Sequence, residues 1–177
     1  FDANDPDRAL PPGETGLVAG RGASLMLGYF QDAAATVACL NADNWFLTGD
    51  LGTLDEDGYL RLTGRKKELI VRGGHNINPN LIEDYALRHD AIDLAAAIPV
   101  PDDRLGERAC LAVMFAAGRS LSAADMLDHL TNEGLSRYDL PEFWLPQADI
   151  SLMPNGKMDK LEIIRRVRDG SLVPEPV

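Results

Sequence analysis

The rhythm of apolar and polar positions changes once along this chain, around residues 65–67. Before that point short apolar runs are separated by turn signals, Pro11-Pro12-Gly13, Gly20-Arg21-Gly22 and Asp55-Glu56-Asp57-Gly58. Gly16-Leu17-Val18-Ala19-Gly20 reads as a short strand between glycines, and Tyr59-Leu60-Arg61-Leu62-Thr63 alternates with period two, which predicts a mainly β segment over 1–64. A few strands give a thin core. About 60 residues of this kind bury too little apolar area to be stable alone, so the segment is expected to have lost a packing partner.

Beyond Lys67 strands and helices alternate. Glu68-Leu69-Ile70-Val71-Arg72 reads as a strand ending in Gly73-Gly74, and Asn78-Pro79 starts a helix, with Asn78 as N-cap and Leu81, Ile82, Tyr85 and Ala86 as its apolar face. Two strands rich in Ala, Val, Ile and Leu follow at 92–100 and 108–116. Ser122 and Asp125 frame a second helix start, with Met126, Leu127 and Leu130 on the buried side. In the last helix Asp159 and Glu162 have capping-box spacing, Met158 and Ile163 stand in staple positions, and Arg165, Arg166 and Arg168 lie near the negative end of the dipole. The prediction is an α+β domain of about 110 residues, large enough to fold by itself. No internal repeat or low-complexity tract interrupts it.

Composition changes this picture little. With 45% hydrophobic and 25% charged residues the chain has ordinary globular proportions. No apolar run approaches the roughly 20 residues that span a membrane, so no membrane span is expected. The start, Phe1-Asp2-Ala3-Asn4-Asp5-Pro6-Asp7-Arg8, lacks the basic and apolar blocks of a signal peptide, and a cytoplasmic enzyme is the expectation. A net charge of −11 disfavours nucleic acid as a partner, since binding it needs a surplus of Lys and Arg. Cys39 and Cys110 have neither CxxC spacing nor a histidine cluster nearby, which suggests no disulfide framework and no metal site, and both read as buried small apolar residues.

The candidate chemistry lies at a few positions. Asp50 follows Thr48-Gly49 at a strand end, where a carboxylate can accept hydrogen bonds from the two vicinal hydroxyls of a ribose; the plain alternative is a turn aspartate. Arg65 follows Gly64, which permits a sharp turn, and its guanidinium could reach ribose oxygens or a phosphate or be an ordinary surface arginine. Gly73-Gly74-His75-Asn76 would by itself be an ordinary turn with a solvated histidine. Lys157, on the Pro154-Asn155-Gly156 turn before the last helix, would by itself be a loop lysine.

Three islands taken together, Trp45-Phe46-Leu47-Thr48-Gly49-Asp50-Leu51, Gly64-Arg65-Lys66-Lys67 and Pro154-Asn155-Gly156-Lys157, roughly 100 residues from first to last, resemble the C-terminal third of the adenylate-forming enzymes. That superfamily includes acyl-CoA synthetases, luciferases and peptide-synthetase adenylation domains, and the resemblance runs from about residue 13 to 167. It implies that 1–64 is a β-rich remnant of a large N-terminal domain, 65–67 a hinge and 68–177 a mobile C-terminal α+β domain. Asp50 and Arg65 would then bind nucleotide, Lys67 would be the hinge residue, and Gly73, Gly74 and His75 would border the CoA channel. Some relatives carry Arg at the position of Asn76. Lys157 would be catalytic, placed between carboxylate, α-phosphate and leaving group, and its acetylation would remove the charge.

The implied ligands are ATP or AMP, coenzyme A and a carboxylic acid, with Mg2+ held mainly by the N-terminal domain, the missing partner in cis. The chain has no GxxxxGK[ST] and no GxGxxG; in the family the phosphate loop and acyl pocket come earlier in the polypeptide. The expectation is therefore part of an ATP-dependent acyl-CoA synthetase, inactive alone. The alternatives are a CoA-independent adenylating enzyme, and a non-catalytic small binding module.

Overall fold

The structure, a computed structural model, describes residues 1–146, 151–154, 156 and 158–177. Its architecture is α+β, in two compact units, Phe1–Glu68 and Leu69–Val177.

In the first unit β1 (Thr15–Gly20), β2 (Phe46–Leu54) and β3 (Leu60–Arg65) form an antiparallel sheet in that order. The turn between β2 and β3 is held by Asp55, whose carboxylate accepts from the Tyr59 N–H at 2.8 Å and whose carbonyl accepts from the Gly58 N–H at 3.1 Å. A short helix, α1 (Ala33–Ala38), begins where the Asp32 carboxylate accepts from the Ala35 N–H. Of this unit's apolar residues only Leu17 and Leu51 are fully buried among the described residues, while Leu27, Phe30, Tyr59, Leu60 and Leu62 stay exposed. The unit thus has the thin core that its few strands predict.

The second unit contains β4 (Ile70–Arg72), β5 (His75–Ile77), α2 (Pro79–Ala86), β6 (Ile92–Asp102), β7 (Gly106–Phe115), α3 (Ala123–Asn132), β8 (Phe143–Pro146), α4 (Lys160–Arg168) and β9 (Glu175–Pro176). The strands form one mixed sheet, β5-β4-β7-β8-β9, with β6 also paired to β7. The β7–β8 pair is parallel and the other pairs are antiparallel. Because side chains alternate along a strand, β7 serves two cores. Ala109, Leu111 and Val113 pack with Ile82 and Ala86 of α2 and Met126 and Leu130 of α3, while Cys110 and Ala112 pack on the other face with Ile163 of α4, Met158 and Leu172. Two helices cover one face and one helix covers the other.

The caps expected for the helices form. Asn78 accepts from the Asn80 N–H, Ser122 from Asp125 and Asp159 from Glu162. Several expectations need correction. Glu68 lies in a single 3₁₀ turn with Lys66 and Lys67, not in β4. Leu81 is exposed, because α2 presents Ile82, Tyr85 and Ala86 to the core at a spacing that turns Leu81 outward. The Asp159–Glu162 capping box is half made: Glu162 binds Arg165 instead of the N-cap N–H, which donates to Ser151 O. Cys39 is half-buried, its Sγ donating to Thr36 O. The segment at His75 and Asn76 is a strand, and α1, β8 and β9 were not predicted.

Candidate functional site

In the first unit the site residues are placed by irregularities in β2. Leu17 and Ala19 of β1 pair with Leu51 and Leu47, so the partner strand carries two more residues than β1 between those pairs. Thr48-Gly49-Asp50 therefore arches out of the ladder, with Gly49 at φ 79°, a conformation costly for any residue with a Cβ. The arch is fixed from within: the Thr48 hydroxyl donates to Val18 O at 2.9 Å and accepts from the Asp50 N–H at 3.0 Å. On the other side Asp50 is the register partner of Arg65, and Arg65 Nε lies 2.9 Å from Asp50 Oδ1. The structure brings these two predicted residues together as an ion pair at the end of the hairpin. The guanidinium is 65% exposed and the carboxylate 27%. Lys67 follows, exposed, one residue before the boundary between the units.

In the second unit Gly73 and Gly74 are the two turn residues of the β4–β5 hairpin, with φ 57° and 88°. Positive φ at both central positions is what a type I′ turn demands, so the turn itself accounts for both glycines. Gly73 N–H donates to Leu105 O at 2.7 Å, and a Cβ at Gly73 would stand 3.2 Å from a Leu105 methyl, whereas a Cβ at Gly74 would meet no heavy atom within 4 Å. His75 is not simply solvated: its Nε2 lies 2.7 Å from Asp139 Oδ1. Beside it Arg72 donates to Glu142 Oε1 at 2.8 Å and to Tyr138 O at 2.7 Å. Sequence reading did not find Arg72, Asp139 or Glu142, because partners 64 to 70 residues apart leave no local signal.

Lys157 lies outside the described residues. On either side of it Leu152 bridges Met158, Gly156 N–H donates to Met153 O, and Met158 is buried in the core under α4.

Electrostatics separates the remaining ionisable groups. Burial pushes the Cys110 thiol up to about 12, so it is a packed apolar group and no nucleophile. The Leu105 and Arg104 N–H groups, with Arg108 nearby, hold the Asp102 carboxyl below the usual range; Asp102 organises the turn whose Leu105 carbonyl receives Gly73. Among the described residues no cluster of three or more His, Cys, Asp or Glu side chains could hold a metal ion. Nor, among them, is any helix long and apolar enough to cross a membrane.

Known proteins resemble this arrangement in sequence and in fold. No family model matches the chain. Over 169 residues it is 36% identical to the medium-chain fatty-acid–CoA ligase of Escherichia coli K12, a match covering 93% of this chain and 30% of the ligase. It is 35% identical over 156 residues to the salicyl-AMP ligase / salicyl-S-ArCP synthetase of Mycobacterium tuberculosis, covering 88% of this chain and 27% of that protein. Among solved structures, ATP-bound MatB from Rhodopseudomonas palustris matches with a TM-score of 0.79 at 29% identity, over 90% of this chain and 32% of MatB. The chain spans about three-tenths of the length of the relatives it matches. In sequence and in fold alike, the chain is similar to the C-terminal part of adenylate-forming enzymes, acyl-CoA ligases among them.

Proposed function

We propose that this chain serves an ATP-dependent acyl-CoA synthetase, as its small C-terminal domain (68–177) together with a β-rich edge of the large domain (1–64). The observation that carries the reading is the Asp50–Arg65 pair: a carboxylate and a guanidinium, held in register by a bulged hairpin and paired at 2.9 Å, offer an acceptor and a donor side by side to a ribose. In the first half-reaction a carboxylate oxygen of the acid attacks the α-phosphorus of ATP. The bond from that phosphorus to the bridging oxygen breaks, and pyrophosphate leaves with the electron pair. Asp50 accepts from the ribose hydroxyls and Arg65 donates to ribose oxygen or phosphate. Lys157 places its ammonium where charge develops between the two anions and the leaving group.

In the second half the CoA sulfur, having lost its proton, attacks the acyl carbon of the adenylate and AMP leaves. Residues 65–67 act as the hinge, with Lys67 absorbing the backbone rotation that exchanges Lys157 for the face containing Gly73, Gly74 and His75. The pantetheine arm then passes along the backbone at Gly74, where the space beside the α-carbon is open. The reading has Mg2+ held mainly by the large domain, and it places the acid pocket and phosphate loop there too. The 177-residue chain by itself is therefore expected to release no AMP from ATP, acid and CoA.

The test is made in the full-length ligase. Lys157→Ala should abolish acid-dependent ATP–pyrophosphate exchange, yet leave conversion of supplied acyl-AMP by CoA within a few-fold of the parent. Equal loss in both assays would refute the assignment. A second reading, an adenylating enzyme without CoA, is supported by the likeness to the salicyl-S-ArCP synthetase. AMP release that is indifferent to added CoA would select it.

A further inference from the structure

The β4–β5 hairpin has a short ladder; Ile70 and Ile77 at its base are buried in the core, and at its tip the Gly73 N–H donates to Leu105 O. Among the described residues its ladder has the pairs Ile70↔Ile77, Val71↔Asn76 and Arg72↔His75, β5 is an edge strand, and β4 pairs with β7 at Arg72↔Gly106, with the Val71 N–H also donating to the Glu107 carboxylate of β7 at 2.8 Å. Each leg of the hairpin is also tied to the segment that precedes β8. Arg72 grips Glu142 and the Tyr138 carbonyl, and His75, its register partner directly across the turn, meets Asp139. The anchoring segment is itself held. Asp139 N–H donates to Ser136 O, Glu142 N–H donates to Ala109 O at 2.8 Å, and the second oxygen of Glu142 accepts from the Ala109 N–H at 3.0 Å. Central strand β7 thus fixes Glu142, and Glu142 with Asp139 fixes the two residues that flank Gly73-Gly74.

We propose that His75 and Asp139 are a positioning pair for the thioester-forming half of the reaction, setting with Arg72 the place of the Gly73–Gly74 turn against the thiol arm of CoA. The inference rests on the reading of that turn as the channel wall. Its physical basis is the contrast between cost and consequence. His75 is half-exposed, and a pair of that kind contributes little to global stability, so the fold does not depend on it. A turn displaced by about 1 Å, however, can slow a reaction that passes along its backbone about a hundredfold. The surrounding charges are Arg72 beside His75 in the sheet, and Arg137, whose guanidinium lies 4.8 Å from the centroid of the Tyr138 ring that His75 meets edge-on.

The experiment uses the full-length ligase with His75→Ala, Asp139→Ala, the double variant and His75→Gln, which keeps an N–H able to reach the carboxylate. With supplied acyl-AMP, each single alanine variant should raise the KM for CoA about tenfold, the double variant no further, and His75→Gln should stay within about twofold of the parent. Acid-dependent pyrophosphate exchange should be unchanged in all four. Additive effects, or an equal loss in both half-reactions, would overturn the pair as a positioning device. Gly74→Asn, which tolerates the positive φ of the turn while placing a side chain in the open space beside the α-carbon, separates the pair from the channel. If it blocks thioester formation while His75→Ala and Asp139→Ala do not, the pair is rejected and the channel stands; if it leaves thioester formation intact, the channel reading fails and takes the pair with it.

Discussion

Asp50 and Arg65 illustrate how a side chain can be prepared for a ligand at little cost to the fold. Their ion pair is mostly exposed on the arginine side, so it is worth under about 1 kcal/mol to stability. A nucleotide that offers hydroxyls to the carboxylate and oxygens to the guanidinium can replace the mutual contact with better-matched ones. Asp50→Ala in the full-length ligase should therefore raise the KM for ATP by about one to two orders of magnitude, with the melting temperature nearly unchanged. Steady-state kinetics beside a thermal melt checks both. A melting point that drops together with activity would make Asp50 a turn aspartate. Both residues were legible as candidates from Thr48-Gly49-Asp50 and Gly64-Arg65. The arch that lifts Asp50 out of the β1–β2 pairing was not, because a register shift is a property of two strands and Gly49 alone does not announce it.

Among the elements, α2 and α4 lie on opposite faces of the sheet, and one carboxylate joins them around its edge. Glu83 Oε1 accepts from the Ala97 N–H of β6 at 2.7 Å and lies 2.6 Å from Lys160 Nζ in the first turn of α4. Ala97 is buried, so removing its acceptor leaves a donor that water cannot reach. Glu83→Ala is expected to destabilise the second unit by about 1–3 kcal/mol, more than Lys160→Ala, which removes only a partly exposed partner. Urea unfolding of the two variants measures the difference; an equal or reversed order would show that the ion pair, not the backbone bond, is the source. The starts of these helices were readable from Asn78-Pro79, Ser122 and Asp159. The short strand β8 was not, since Phe143-Trp144-Leu145-Pro146 is too brief for a periodicity and becomes a strand through its parallel pairing with Cys110, Leu111, Ala112 and Val113 of β7.

For the molecule as a whole, the contrast between the two units matters most. Leu69–Val177 has two cores that together contain Ile70, Ile77, Ile82, Leu111, Met126, Leu130, Leu145 and Ile163 at essentially zero exposure, whereas Phe1–Glu68 buries two leucines and leaves Leu27 and Phe30 at 106% and 91% exposure. A polypeptide of residues 69–177 should fold by itself with one cooperative urea transition and dispersed amide resonances. Residues 1–68 alone should show neither. Cooperative unfolding of 1–68 would mean that its exposed apolar side chains are tolerated surface rather than a face that needs covering.

The sequence by itself determined the class of the fold, the starts of α2, α3 and α4, the strong strands of the second unit and the three islands that carry the resemblance to adenylate-forming enzymes. All of these depend on residues close together in the chain, where periodicity, capping and turn chemistry act. Tertiary structure decided what distant residues make of one another. It joined Arg72 and His75 to Glu142 and Asp139, turned Leu81 outward while Ile82 faced inward, and drew Glu162 away from its cap toward Arg165. Such contacts are settled by which surfaces pack together, and the pattern of one segment contains no information about the segment it will meet.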